Sequence, residues 1–120
     1  MRIIIAGSRN YTNLDEFMLA MGEIMVQHHD LFTGNIEVVS GGARGVDSMG
    51  EYWANLLSYK IIQFIPSWER FGRAAGHIRN AEMAEYADVL IAFWDGVSKG
   101  TESMINLARK KGLKVIIRMI

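Results

Sequence analysis

The sequence predicts an α/β fold in three layers, with a five-stranded parallel sheet between two layers of helices. Five short apolar runs, rich in valine and isoleucine, are expected to form the strands: Arg2–Ala6, Ile36–Ser40, Ile61–Ile65, Val89–Phe93 and Lys114–Arg118. These runs are continuously apolar rather than alternating, as is typical of parallel strands that are covered on both faces. Because a segment with helical spacing separates each run from the next, the pattern indicates a Rossmann-like α/β/α sandwich.

Apolar residues spaced three and four positions apart predict four helices between the strands. The inward positions of the first helix are Leu14, Phe17, Met18, Met21, Ile24, Met25 and His28. The inward positions of the other three are Val46, Met49, Gly50, Trp53 and Leu57; Gly76, Asn80, Met83 and Ala87; and Thr101, Met104, Ile105 and Ala108. Gly34 is expected to mark the exit of the first helix, and Pro66, the single proline, is expected to open the longest loop.

Length and composition restrict the classes of protein to consider. The chain has 120 residues, half of them apolar, which suits one domain over residues 1–120 with a core that needs neither disulfides nor metals. The formal charge is zero, with 13 basic and 13 acidic side chains, so no overall field attracts nucleic acid or an anionic membrane. Cysteine is absent, which excludes a thiol nucleophile. No run approaches the roughly 20 apolar residues of a membrane span, so we expect a cytoplasmic protein.

The loops that follow the strands carry the most unusual residues. In an open parallel sheet, ligands bind beyond the carboxyl ends of the strands. Three of these loops, Gly7–Asn10, Gly41–Gly45 and Asp95–Thr101, combine glycine with a cation, and the loop after the third strand carries Arg70 and Arg73. Glycine lets backbone N–H groups approach an anion, and the N-terminus of a following helix adds partial positive charge. One glycine turn is usually only a connection, but three at one edge predict a phosphate site.

The residues expected to contact this ligand come from these loops and from the helix after the third strand. Arg79 is expected on or beside the inward face of that helix, where an arginine needs an anionic partner or a ligand. The full predicted ligand-binding set is Gly7, Ser8, Arg9, Gly41, Gly42, Arg44, Asp47, Arg79, Asn80, Asp95, Ser98, Gly100 and Thr101.

Other residues near this edge have two interpretations each. His77 has no visible carboxylate partner, so it is more often a hydrogen-bonding helix residue than a catalytic acid or base. Trp68, Phe71 and Trp94 are able to stack on a base or to fill the core, and the sequence does not choose between these roles. The histidine pair at the end of the first helix has no further ligand at metal-binding spacing. Neither a metal site nor a cofactor is therefore predicted.

Three of these segments together resemble the SLOG superfamily. They are Gly7-Ser8-Arg9 after the first strand, Ser40-Gly41-Gly42-Ala43-Arg44-Gly45-Val46-Asp47 after the second and Lys99-Gly100-Thr101 after the fourth. The resemblance extends over nearly the whole chain and is to the small branch related to YspA and YpsA. It implies a Rossmann-like fold and a nucleotide or nucleotide-derived ligand. The superfamily includes LONELY GUY phosphoribohydrolases, the single-stranded-DNA-binding protein DprA and sensing domains of bacterial antiviral systems, so the fold alone does not select an activity.

The comparison with the LONELY GUY family concerns two segments. The family's His-x-Arg-Lys-x-x-Met segment is similar to residues 77–83, which places Arg79 on the family's catalytic arginine. Its Pro-Gly-Gly-x-Gly-Thr-x-x-Glu segment corresponds to residues 96–104, where Met104 replaces the catalytic glutamate. Methionine neither accepts a proton nor stabilises an oxocarbenium ion, so this mechanism lacks one part. Glu102 lies about 200° around the helix from Met104. Asp95 or Asp47 would have to act from another direction.

Three functions are consistent with these residues. The first is binding of a small nucleotide-type ligand, as a sensing or sequestering module. The second is hydrolysis of an N-glycosidic bond in a nucleoside monophosphate, with Arg79, Asp95 and Glu102 as catalytic candidates and Asp47 as another carboxylate. The third, binding of single-stranded nucleic acid, is disfavoured by the neutral charge.

Self-association is a further expectation. The resemblance implies it, since SLOG relatives frequently pair through helices on the faces of the sheet. Met18, Met21 and Met25 are candidates for a homodimer surface, although methionines at helical spacing are more often core residues.

Overall fold

The computed structural model describes residues 1–120, in which five strands form one parallel sheet. The strands are β1 (Arg2–Gly7), β2 (Glu37–Ser40), β3 (Lys60–Gln63), β4 (Val89–Trp94) and β5 (Lys114–Met119). Their order across the sheet is β3-β2-β1-β4-β5, and every neighbouring pair is parallel. The predicted α/β fold with a five-stranded parallel sheet is therefore confirmed, and each predicted run overlaps an observed strand.

Five helices connect the strands. They are α1 (Leu14–Gln27), α2 (Val46–Leu56), α3 (Trp68–Phe71), α4 (Ala75–Tyr86) and α5 (Lys99–Lys110). The start of α1 is capped by Asn13, whose side-chain oxygen accepts the backbone N–H of Glu16 at 3.1 Å. Two basic residues, Arg109 and Lys110, lie in the last turn of α5, where they complement the helix dipole. None of these helices has the length and apolar character needed to cross a membrane.

Two connections differ from the expectation. The first helix ends at Gln27 and does not continue to Gly34. A 3₁₀ turn over His29–Phe32 lies between the end of the helix and this glycine. Leu31 in this turn is buried in the core, so packing sets the path of the chain there. The segment after Pro66 is not an extended loop, because α3 and a 3₁₀ turn over residues 72–74 occupy most of it.

The sheet separates two apolar clusters, one beneath each layer of helices. Successive residues of β1 alternate between them, since Ile3 and Ile5 belong to the first cluster whereas Ile4 and Ala6 belong to the second. Residues of α1 and α2 complete the first cluster, and residues of α4 and α5 complete the second. Both faces of β1 are therefore buried, which explains its continuously apolar sequence.

The methionines of α1 contribute mainly to the first cluster. Met21 has no exposed surface, and Met18 and Met25 are half-buried against the same cluster. The large apolar side chains that α1 exposes are Leu19 and Val26. The three methionines are thus core residues rather than a free surface, and the homodimer stays a prediction.

Candidate ligand-binding site

A cavity of about 350 Å³ opens at the carboxyl edge of the sheet. The residues that line it are Ala6, Gly7, Ser8, Arg9, Asn10, Ala43, Asp47, Arg79, Asn80, Met83, Ser98, Lys99, Gly100, Thr101 and Met104. The loops after β1, β2 and β4 all contribute, together with α2, α4 and α5. We call this space the first cavity. It lies at the position where open parallel sheets bind ligands.

The loop after β1 packs closely against the end of β4 and against the loop after β2. A Cβ atom added to Gly7 would lie 2.4 Å from the carbonyl oxygen of Phe93, and one added to Gly45 would lie 2.5 Å from that of Ser8. Gly45 also has a φ of +77°, a conformation that disfavours side chains. The N–H of Val46 then donates to the carbonyl oxygen of Ser8 at 3.3 Å. Packing alone thus accounts for these two glycines, whatever the site binds.

Arg79 is the buried cation of the site, with 8% of its surface exposed. Its Nη1 donates to the carbonyl oxygen of Gly41, and its Nε donates to Oδ1 of Asn80 at 2.9 Å. Burial lowers the pKa of Arg79, and the negative charge of Asp47 opposes that shift. Because the guanidinium group lines the cavity, an anion bound there would replace part of the hydration that burial removes.

Asp47, in the first turn of α2, places a buried carboxyl group at the same cavity. Burial raises the pKa of Asp47 to about 6, although the backbone N–H of Ala43, at 3.2 Å, and the charge of Arg79 favour the ionised form. A Cβ atom on Gly41 would lie 2.9 Å from Oδ2 of Asp47 and 2.5 Å from Nη1 of Arg79. The carboxyl group of Asp47 and the guanidinium group of Arg79 therefore both lie close to Gly41, and only a glycine at that position leaves room for them. With this pKa, the carboxyl group is able to exchange a proton near neutral pH.

The N-terminus of α5 forms another wall of the first cavity. Ser98 precedes the helix, and no side chain caps its N–H groups. Glu102 donates the first internal bond, to the carbonyl oxygen of Ser98 at 3.1 Å, so the N–H groups of Lys99–Thr101 have no partner inside the helix. Thr101 is buried, whereas a Cβ atom on Gly100 would meet nothing within 4 Å. Lys99, Gly100 and Thr101, which line this wall, thus supply amide donors, a hydroxyl group and an ammonium group, a combination that suits an anion.

Asp95 orders the loop before α5. Its Oδ1 accepts the backbone N–H groups of Ser98 at 2.7 Å and Val97 at 2.9 Å, and its Oδ2 accepts the hydroxyl of Ser98 at 2.9 Å. The bonds from Ser98 and Val97 lower the pKa of Asp95. The side chain is exposed and is not among those that line the first cavity. Its hydrogen bonds are those of a residue that shapes a turn.

A second cavity, of about 460 Å³, adjoins the first. The residues that line it are Arg9, Gly41, Gly42, Ala43, Arg44, Ile65, Pro66, Trp68 and Arg79. Three of them, Arg9, Ala43 and Arg79, line both cavities, so the two spaces meet at these residues. Arg44 is exposed and belongs to the second cavity only.

The predicted ligand-binding residues divide between the two cavities. Those that line the first are Gly7, Ser8, Arg9, Asp47, Arg79, Asn80, Ser98, Gly100 and Thr101. Those that line only the second are Gly41, Gly42 and Arg44. Asp95 and Glu102, two of the catalytic candidates, line neither. The lining residues of the first cavity that the predicted ligand-binding set omitted are Ala6, Asn10, Ala43, Met83, Lys99 and Met104. The sequence could have identified Asn10 and Lys99 as lining residues, because each lies in a glycine-containing loop next to a predicted residue. Asn10 follows Arg9, and Lys99 lies between Ser98 and Gly100.

The sequence allowed two roles each for Trp68, Trp94 and His77, and in the structure these three residues have different surroundings. Trp68 is about half exposed and lines the second cavity, so it does not fill the core. Trp94 packs against the second apolar cluster and donates its Nε1 hydrogen to the carbonyl oxygen of Ser98 at 3.2 Å, which makes it a structural residue. Nδ1 of His77 lies 3.2 Å from the hydroxyl of Ser103 between α4 and α5. No three histidine, aspartate or glutamate residues are grouped closely enough to hold a metal ion.

Known proteins match this chain in two comparisons. A model of the YspA, cpYpsA-related SLOG family matches residues 1–71, which contain Arg9 and Asp47 but not Arg79 or α5. The Gene 61 protein of Mycobacterium phage D29 is 34% identical over 121 residues, which cover 96% of this chain and 94% of that protein. No solved structure gives a significant match. On the family model and the phage relative together, the chain belongs to the YspA, cpYpsA-related SLOG family.

Proposed function

We propose that the protein binds a small nucleotide-type ligand in the first cavity and acts as a sensing or sequestering module. One observation carries the proposal. The unpaired amide groups at the start of α5 and the buried guanidinium of Arg79 line the same cavity, which has a volume of about 350 Å³. Membership of a SLOG family supports a nucleotide as the source of the anion.

In this proposal, the phosphate group of the ligand lies at the N-terminus of α5. The backbone N–H groups of Lys99–Thr101 and the hydroxyl of Thr101 donate hydrogen bonds to it, and the ammonium group of Lys99 adds charge. Arg9 and Arg79 approach the phosphate from the other loops. Asn10 and Asn80 offer amide groups for the hydroxyl groups of the sugar or for the base.

The charge of the lining favours an anion, although the chain as a whole is neutral. Arg9, Arg79 and Lys99 are the cations that line the first cavity, and Asp47 is its one carboxylate. Even with Asp47 ionised, positive charge exceeds negative charge in the lining. A phosphate is therefore attracted locally, without the protein-wide positive field that non-specific nucleic-acid binding requires.

Isothermal titration calorimetry with AMP and with inorganic phosphate tests this proposal. Wild-type protein is expected to bind AMP. Thr101→Val removes the hydroxyl at similar volume, and Lys99→Gln removes the charge. Each is expected to weaken AMP binding by about tenfold, since a hydrogen bond to a charged group contributes about 1.5–3 kcal/mol. Lys110→Gln, at the other end of α5, is the matched control and should bind AMP as wild type does.

If wild-type protein shows neither heat nor thermal stabilisation with nucleoside mono-, di- and triphosphates of all four bases, it is not a nucleotide-binding module. If nucleotides bind but Thr101→Val and Lys99→Gln bind as tightly as wild type, the phosphate does not lie at α5.

Hydrolysis of an N-glycosidic bond is a second candidate, favoured by the buried carboxyl group of Asp47 near Arg79. In such a reaction the bond between the base and C1′ of the ribose breaks, water adds to C1′ and the base leaves. A carboxylate stabilises the oxocarbenium-like transition state. Since Met104 occupies the position of the family glutamate, Asp47 would act from the loop after β2 instead.

Chromatography of the products from AMP tests this second candidate. Wild-type protein should release free adenine, Asp47→Asn should release none, and Asp95→Asn should retain release because Asp95 does not line the cavity. If wild-type protein releases no base from a panel of nucleoside monophosphates, hydrolysis is excluded and binding alone is left.

A further inference from the structure

The second cavity has a lining that the phosphate site does not explain. It meets the first cavity at Arg9, Ala43 and Arg79, and then extends away from α5 toward α3. The volumes of about 350 and 460 Å³ each fall within the range of about 300–1,000 Å³ that is usual for small-molecule sites. Each cavity therefore has room for one part of a larger ligand.

One wall of the second cavity is apolar and exposed. Ile65 has 62% of its surface exposed and Trp68 has 51%, although both are large hydrophobic residues. Cδ1 of Ile65 lies 2.4 Å from the position of a Cβ atom on Gly42, so the isoleucine rests directly on the glycine loop. The outer edge of the indole ring, at Cη2, lies 3.6 Å from such a position on Gly76. Ile65 thus lies against Gly42 and Trp68 lies near Gly76, and both side chains leave much of their apolar surface exposed.

The charges of the second cavity all have one sign. Arg9, Arg44 and Arg79 are its ionisable lining residues, and no carboxylate is among them. A lining that combines an indole ring with guanidinium groups suits a flat ring that is joined to a negatively charged group, because the ring stacks and the charge pairs. A purely aliphatic ligand would leave the arginines without a partner, and inorganic phosphate would leave the indole face uncovered.

We propose that the second cavity binds a second ring of the ligand, which is a nucleotide with two ring systems joined through a bridge of two phosphates. One nucleoside occupies the first cavity with its phosphate at α5, the second phosphate of the bridge lies at Arg9 and Arg79, and the second ring stacks on Trp68. This inference rests on the proposed function, since it assigns the ligand class of the same site. It identifies Trp68 as the residue that distinguishes a two-ring ligand from a mononucleotide.

Calorimetry with two probes tests the inference. The probes are AMP and diadenosine pyrophosphate, in which two adenosines are joined through their 5′ oxygens by two phosphates. The variants are Trp68→Ala, which removes the ring, and Trp68→Phe, which keeps a smaller one. Phe71→Ala is the matched control, because Phe71 lies on the same short helix, is partly exposed and lines neither cavity.

Wild-type protein is expected to bind diadenosine pyrophosphate at least tenfold more tightly than AMP. Trp68→Ala should lose about tenfold for diadenosine pyrophosphate, since stacking of a base on an aromatic side chain contributes about 1–3 kcal/mol. The same variant should bind AMP as wild type does. Trp68→Phe should recover most of the loss, and Phe71→Ala should change neither affinity.

Three results would overturn the inference. If AMP binds as tightly as diadenosine pyrophosphate, or if Trp68→Ala weakens both to the same extent, the ligand has one ring and the two-ring assignment is wrong. If Trp68→Ala changes neither affinity, the second cavity is not a ring site, while the phosphate site at α5 stands. If neither probe binds wild-type protein, this inference fails, and the proposed function fails with it only if the nucleoside phosphates of the other bases also give no heat.

Discussion

The carbonyl oxygen of Gly41 accepts a hydrogen bond from the guanidinium group of Arg79, which joins the loop after β2 to α4 within the buried part of the site. The two residues are 38 positions apart in the chain. The contact exists because Gly41 has no side chain, since a Cβ atom there would lie 2.5 Å from Nη1 of Arg79. The orientation of the buried cation therefore depends on the size of its glycine partner.

Gly41→Ala is expected to displace Arg79 and to abolish AMP binding. The added methyl group would overlap the guanidinium group and lie 2.9 Å from Oδ2 of Asp47. Overpacking of this kind costs about 1–3 kcal/mol of unfolding free energy, which urea denaturation measures. Gly22→Ala is the control, because Gly22 lies in α1 and its added Cβ atom meets nothing. That change should stabilise the protein by about 0.5–1 kcal/mol. Normal AMP binding by Gly41→Ala would contradict the role assigned to this contact.

The raised pKa of Asp47 predicts a specific dependence of stability on pH. Its pKa is about 6 in the folded protein, against 3.8 for an unperturbed aspartate, so the folded state binds the proton more tightly than the unfolded chain. The stability contributed by protonated Asp47 is therefore fully present below pH 3.8, declines between pH 3.8 and about 6 and is lost above that. Relative to Asp47→Asn, wild-type protein should lose up to about 3 kcal/mol across this range.

Urea denaturation of both proteins at pH values from about 4 to 7.5 measures this difference. Asparagine keeps an oxygen that accepts the N–H of Ala43, so the variant preserves the loop while it removes the titration. If the free energy of unfolding depends on pH in the same way for both proteins, Asp47 titrates as an exposed aspartate does. It would then not exchange a proton near neutral pH.

Arg79→Ala is expected to abolish ligand-induced stabilisation while the protein still folds. The substitution removes the donors to Gly41 and Asn80, at a cost of about 1–3 kcal/mol for the unsatisfied groups. Arg79→Lys restores the charge but not the two-donor geometry, so it should recover AMP binding only in part. Arg73→Ala, at an exposed arginine outside both cavities, should bind AMP normally. If both Arg79 variants fail to unfold cooperatively, the arginine is primarily a structural residue.

The order of the strands along the chain and most inward positions of the helices were predictable because they depend on local patterns. Leu57, expected on the inward face of the second helix, is instead exposed and follows the end of α2. The run Ile3–Ile5 is buried on both faces, and the inward positions proposed for α5, including Met104 and Ile105, are all buried. Burial of the site's polar groups was less predictable, because it depends on contacts between distant segments. Asp47 acquires its environment only when α4 brings Arg79 to the loop after β2.

Within the candidate site, the directions of loop side chains also depend on contacts that the sequence does not show. Arg44 and Asp95 lie in the predicted loops, yet sequence position does not reveal which way a loop side chain points. Asp95 satisfies the backbone of its own turn, whereas Arg44 is exposed at the second cavity. Trp68 follows the third strand as expected, but its role depends on α3, a short helix that the proline-containing segment did not suggest.

Asp95 is expected to order the loop before α5 and not to take part in catalysis. Asp95→Ala removes the acceptor for the N–H groups of Val97 and Ser98 and for the hydroxyl of Ser98. These amides and the first turn of α5 should therefore exchange hydrogen with deuterium faster, which mass spectrometry measures. Because hydrogen bonds to the carboxylate lower the pKa of Asp95, its stabilising effect is present at neutral pH and is lost on acidification.

Binding data complete the test of Asp95. AMP affinity of Asp95→Ala should fall by a few fold, because Lys99–Thr101 would be less well ordered before the ligand binds. Asp95→Asn keeps an acceptor oxygen for both N–H groups, so its exchange rates should lie between those of wild type and Asp95→Ala. A catalytic carboxylate would behave differently, since Asp95→Asn would then eliminate turnover of AMP while exchange at Val97 and Ser98 stayed near the wild-type rate. The order of α5, rather than a reaction at Asp95, is thus what the hydrogen bonds of this residue maintain.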